Sequence, residues 1–226
     1  MADKFVVLVE GPDDYHVLQH LLTVRGVNQQ ISYRLEGRPT ASLTPEEIVF
    51  KAPGGINKVL ENLKIQVKIV GETKRLGVVV DADLDLVARW QSLRNILVNA
   101  GYQDVPAQPS AQGTIVEHGE KPRIGVWIMP NNTLPGKIED FITLLVPTAD
   151  NLWKRAELNV QQIPLTERRF TENAFIKAHV HTWLAWQEIP GLPMGQAIRE
   201  RWLDANEPNA LQLVGWLRRL FDLGEA

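Results

Sequence analysis

Arg75-Leu76-Gly77-Val78-Val79-Val80-Asp81-Ala82-Asp83-Leu84-Asp85 opens with a β-branched apolar run and ends abruptly in acids. A run that is apolar on both faces fits a central parallel strand covered by helices on either side. Downstream, residues 86–100 carry Trp90, Leu93, Ile96 and Leu97 at helical spacing, so the strand passes into a helix. Upstream, Phe50-Lys51-Ala52-Pro53-Gly54-Gly55 breaks the chain, and Val59, Leu60, Leu63 and Val67 then mark an amphipathic helix. The same transition occurs near the first residue. Apolar residues 4–10 close on Glu10-Gly11-Pro12-Asp13-Asp14, and Val17, Leu18, Leu21 and Leu22 follow with helical spacing.

Residues 31–35 read as a short strand, and 41–47 as a loop or helix start. Two more strands are expected over 114–117 and 123–129, around the turn 118–122, with a further helix over 136–146. This alternation predicts an α/β, Rossmann-like core with a mainly parallel sheet of about four strands. Beyond Pro147 only helices are expected, over 152–160, 172–186, 195–204 and 210–221. The chain is therefore read as a core of residues 1–147 followed by a helical region, 148–226, packed on it. Trp153, Trp183, Trp186, Trp202 and Trp216 all lie in that region and are read as packing residues rather than base-stacking ones.

Composition narrows the chemistry. The 226 residues contain no cysteine, which excludes disulfides, thiolate zinc sites and a cysteine nucleophile. With 24 Lys plus Arg against 27 Asp plus Glu, the net charge of -3 gives no whole-molecule attraction to nucleic acid. Nucleic-acid binding would then need a local basic patch, bridging cations or a partner. No apolar run approaches the roughly 20 residues of a bilayer span, and Met-Ala-Asp-Lys leads directly into the first strand. The expectation is a cytoplasmic protein with no membrane contact.

The acids carry the functional signal. Glu10 ends one strand, Asp14 falls in the first turn of the next helix, and Asp81 and Asp83 end a second strand. Ligand sites of open α/β sheets lie at such carboxyl ends. If the two strands are neighbours, the carboxylates share a cleft and repel one another unless a cation neutralises them. Oxygen-only ligands suit Mg²⁺ or Mn²⁺, and two ions could serve an attacking and a leaving oxygen in displacement at phosphorus. A plainer reading of each acid is a helix cap or a complement to the helix dipole, and Asp85 fits that description best.

On Glu10 and Asp81-Ala82-Asp83, residues 4–145 resemble the TOPRIM domain shared by topoisomerases, bacterial primases and overcoming-lysogenization-defect (OLD) nucleases. The resemblance implies that Glu10 is a general acid or base or a metal ligand, and that Asp81 and Asp83 are metal ligands. It further implies that Asp14 belongs to the Glu-x-x-x-Asp variant of the OLD nucleases, where it serves a second ion. Glu139, in Gly136-Lys137-Ile138-Glu139-Asp140-Phe141, resembles another acid near the metals in that branch, and is otherwise an ordinary first-turn acid. The whole chain also resembles an uncharacterised bacterial TOPRIM-like family through Trp127-Ile128-Met129-Pro130-Asn131-Asn132 and Thr182-Trp183-Leu184-Ala185-Trp186-Gln187. Neither a topoisomerase tyrosine region nor a primase zinc module accompanies these segments.

The implied function is Mg²⁺- or Mn²⁺-dependent cleavage of DNA or RNA by a TOPRIM nuclease. Because OLD nucleases are coupled to an ATPase and this chain has no P-loop, an ATPase partner in trans is expected. Two alternatives remain: a non-catalytic TOPRIM-like scaffold binding nucleic acid or protein, and a metal-dependent phosphatase or phosphotransferase for small substrates. Gly54, Gly55 and Lys58 form a weaker candidate phosphate cradle at a helix start, against the reading of a turn with a solvated lysine. Lys177 and His181 share one face of an expected helix, from which they could approach a phosphate, while His179 points away.

Overall fold

The computed structural model describes residues 5–38, 46–68, 74–119 and 121–224. Six strands form one sheet in the order β2-β3-β1-β4-β6-β5. They are β1 (Phe5–Leu8), β2 (Ser32–Leu35), β3 (Glu47–Lys51), β4 (Arg75–Asp81), β5 (Thr114–Val116) and β6 (Arg123–Met129). All neighbours run parallel except β5, which pairs antiparallel with β6. The architecture is Rossmann-like α/β, with six strands rather than the expected four or so. β3 is the strand that local patterning missed, because Glu-Ile-Val-Phe-Lys is short and abuts a Pro-Gly-Gly break. Of the loop or helix start expected over 41–47, residues 41–45 lie outside the described residues.

Strand alternation explains how helices cover both faces. Val7, Val79 and Trp127 enter one apolar cluster. Val6, Leu8, Val78, Val80, Val126 and Ile128 enter another. The first face is covered by α1 (Pro12–Val24), α4 (Ile138–Thr143), α6 (Phe175–Ala185), α7 (Met194–Arg199) and α8 (Pro208–Phe221). The second is covered by α2 (Ile56–Gln66) and α3 (Leu86–Asn99). The remaining helix, α5 (Asn151–Gln161), packs on α6. Successive strands lie on one side of β1 up to β3, then on the other from β4. The β1/β4 junction is thus a topological switch point, where the carboxyl ends of two parallel strands open a crevice.

Glycines inside strands mark where a helix comes close. Gly77 and Gly125 are register partners on β4 and β6. A Cβ on Gly125 would lie 2.7 Å from Leu220 Cδ2 and 2.9 Å from Trp216 Cζ2, so α8 seats directly on the bare backbone. Gly125→Ala is expected to cost about 1–3 kcal/mol by overpacking, read as a lower urea midpoint at unchanged m-value. Trp183 and Trp216 are fully buried, as expected of packing residues, although Trp186 is 40% exposed. Among the described residues no helix is long and apolar enough to cross a membrane.

Candidate phosphoryl-transfer site

At the carboxyl end of β1, Val9 is still paired through its N–H to Lys51 O, and Glu10 is the first residue free of the sheet. Gly11 and Pro12 then turn the chain into α1, with Pro12 at the first helical position, where a missing N–H costs nothing. Asp14 lies one turn in, and its Oδ2 accepts the Gly11 N–H at 2.8 Å. The adjacent strand delivers Asp81. Its backbone N–H donates to Glu10 Oε1 at 3.0 Å, and its own Oδ1 accepts the Ile138 N–H at 2.9 Å. Asp81 thereby caps α4, and α4 carries Glu139, which is only 5% exposed.

Glu10, Asp14, Asp81 and Glu139 line one cleft of about 330 Å³, together with Gly55, Lys137 and Lys177. Lys177 Nζ stands 3.4 Å from Glu139 Oε1. His181 is not among the lining residues. His179 is buried, stacked on Trp153 with ring centroids 3.6 Å apart, which makes it a packing residue.

Burial and mutual repulsion show in the proton affinities. Burial first, then the charges of Asp14, Glu10, Glu139 and Asp83, push the Asp81 carboxyl from an ordinary 3.8 up to about 8. Burial also raises Asp14 to about 7, with Glu10 and Glu139 adding repulsion against the relief of the Gly11 N–H. Glu10 is raised by burial, partly offset by the Asp81 N–H. Arg89 and Lys137 offset part of the rise at Glu10.

Asp83 stands apart. Its backbone adopts φ 54° and exchanges two hydrogen bonds with Gly136, at 2.9 and 2.8 Å. Its carboxylate receives Arg89 at 2.7 Å and Lys137 at 3.3 Å. It lines an adjoining groove rather than the cleft of the other acids. Arg89 also donates from Nε to Asp81 O at 2.7 Å, so one guanidinium clamps both ends of the Asp-x-Asp segment. Sequence reasoning singled out neither Arg89 nor Lys137. The available signal for Arg89 was its place one helical turn after Asp85, which caps α3 by accepting the Ala88 N–H at 2.9 Å. Of the weaker phosphate candidates, Gly55 lines the cleft and donates its N–H to Glu10 O at 2.8 Å. Gly54 and Lys58 are exposed and are not lining residues.

Among the described residues, no group of three or more His, Asp or Glu side chains is set to hold a metal ion as placed. One oxygen each of Glu10, Asp14 and Asp81 is turned to a backbone N–H instead. The donor set nonetheless fits a hard cation. Asp14 Oδ1 is buried without a hydrogen-bond partner, which is costly for a carboxylate oxygen that neither water nor a cation satisfies.

A family model described as "Protein of unknown function (DUF3226)" matches residues 4–222. No curated protein and no solved structure matches the chain.

Proposed function

Because the chain belongs to the DUF3226 family, whose description names no activity, we propose from its own residues that it is a TOPRIM-like, Mg²⁺- or Mn²⁺-dependent phosphodiesterase acting on DNA or RNA. The observation that carries the reading is the buried, unpartnered Asp14 Oδ1 in a partly buried cluster of carboxylates at the β1/β4 switch point. Glu10, Asp14, Asp81 and Glu139 would hold the ions. Bound divalent cations supply neutralising charge and Lewis-acid stabilisation to the oxygens around phosphorus. Glu10, with its proton affinity raised by burial, is suited to take the proton of an attacking water near neutral pH. Lys177 and Lys137 at the rim draw the phosphate towards the acids. A cytoplasmic location and an ATPase partner in trans belong to the same reading, the latter because the chain has no P-loop pattern.

A specific observation favours the second reading, a non-catalytic scaffold: Arg89 and Lys137 already pair with Asp83. Calorimetric titration with Mg²⁺ and Mn²⁺, alongside cleavage assays on short DNA, RNA and nucleotides, separates the two. The phosphodiesterase reading expects metal binding and cleavage of a nucleic acid. No binding and no cleavage would leave the scaffold, and turnover of nucleotides alone would point to a phosphatase.

A further inference from the structure

Beside the carboxylate cleft lies a second groove of about 590 Å³, within the roughly 300–1,000 Å³ range of small-ligand sites. The two are continuous, because Lys137, Asn173 and Ile176 line both. Their linings differ in emphasis: the cleft carries Glu10, Asp13, Asp14, Asp81 and Glu139 beside Ile138 and Ile176, whereas the groove adds Leu84, Pro135 and Phe175, with Asp83, Asp140 and Glu172 on its polar side. Leu84 is 74% exposed, although it directly follows the Asp-Ala-Asp segment. Val87, in the first turn of α3, is also 75% exposed, although it lines neither the cleft nor the groove.

We propose that this groove is a nucleobase subsite, which makes the substrate of the adjoining cleft an unpaired strand rather than a duplex. The inference rests on the phosphodiesterase reading. A nucleotide joins an anionic phosphate to a flat, largely apolar base with polar edges, and the surface offers the same succession. Lys137 stands at the junction, its Nζ 3.3 Å from Asp83 Oδ1, and Lys177 stands at the rim of the cleft. Phe175, half-buried on the wall of the groove, supplies a ring for stacking, and the exposed Asn173 amide supplies a donor and an acceptor for a base edge. A base stacked inside a duplex cannot reach such a groove without leaving its neighbours, whereas an unpaired base can. With a net charge of -3, phosphate contacts alone hold a duplex weakly, so a stacking contact weighs heavily in affinity.

The test measures binding to the full chain of three probes of equal length: a single strand carrying 2-aminopurine, the same strand with abasic positions, and the duplex. Mn²⁺ affinity is titrated separately. The expected result is about tenfold weaker binding when bases are absent or paired, and quenching of 2-aminopurine fluorescence by the wild-type chain. Phe175→Ala and the exposed Leu84→Ser are each expected to remove most of that base dependence while leaving Mn²⁺ affinity unchanged. Because Phe175 is half-buried, Leu84→Ser keeps the test valid if the first variant folds poorly. Equal binding of base-containing and abasic strands by a chain that binds Mn²⁺ would overturn the subsite and spare the metal centre. Wild-type base dependence in both variants would likewise overturn it, returning the groove to protein docking or packing. Base-dependent binding without any Mn²⁺ binding would uphold the subsite and sink the phosphodiesterase.

Discussion

Asp81→Asn is expected to lower metal-dependent phosphodiester cleavage at least about 100-fold, since even the outer partners of a metal ligand are worth roughly 10- to 100-fold. The fold should survive, because the Asn carbonyl can still accept the Ile138 N–H that Asp81 Oδ1 accepts at 2.9 Å. The same substitution is expected to stabilise the metal-free protein above neutral pH. Burial and four neighbouring carboxylates push Asp81 to about 8, so its ionised form is paid for in folding free energy. The neutral amide relieves that, and a gain of about 1 kcal/mol would raise the melting temperature by roughly 2–4 °C at this chain length. Activity and stability therefore move in opposite directions. A variant that cleaves like the wild type removes Asp81 from the mechanism, and one that loses activity together with stability assigns it a structural role.

Divalent cations should invert the pH dependence of stability. Without metal, Asp14 and Asp81 bind protons more tightly folded than unfolded, with values near 7 and 8 against an ordinary 3.8. Their stabilising contribution is complete at low pH and is lost as the pH rises from about 4 through 8. The melting temperature of the metal-free chain should fall across that window, and Asp81→Asn should flatten the fall. Saturating Mn²⁺ or Mg²⁺ competes with those protons and acts most strongly at the alkaline end. At 100 times the dissociation constant the ion contributes about 2.7 kcal/mol, a rise of roughly 5–10 °C. Asp14→Asn should abolish most of it, because Asp14 Oδ1 is the buried oxygen without a partner. Melting curves from pH 5 to about 8.5 with and without Mn²⁺ decide the matter. Superimposable curves would mean that the acids hold no ion.

The alternation of strands and helices was legible because periodicity is a local property of the chain. Val78–Val80 ending in Asp81 announced a buried strand with a polar tip, and the observed β4, Arg75–Asp81, has that form. Gly77 and Gly125 were equally legible as glycines inside strands, yet nothing local says that α8, more than eighty residues on, is what approaches them. β3 escaped because five residues beside a Pro-Gly-Gly break carry too little pattern to separate a strand from a loop.

For the site, residue order alone determined which acids end strands and begin helices: Glu10, Asp14, Asp81 and Glu139 each occupy the position their neighbours in the chain dictate. Whether those acids meet is a matter of strand order and backbone conformation. The pairing of β1 with β4 brings Glu10 Oε1 to the Asp81 N–H across 71 positions of sequence. Asp83, only two residues after Asp81, is instead held at φ 54° by its bridge to Gly136 and drawn to Arg89 and Lys137. Sequence spacing places two carboxylates near one strand end, but long-range hydrogen bonds and a left-handed backbone choose the cleft each one faces. Burial then completes the distinction: Asp14 and Glu139, beside Asp81, are buried, while Asp83 is half-exposed and paired with Arg89 and Lys137.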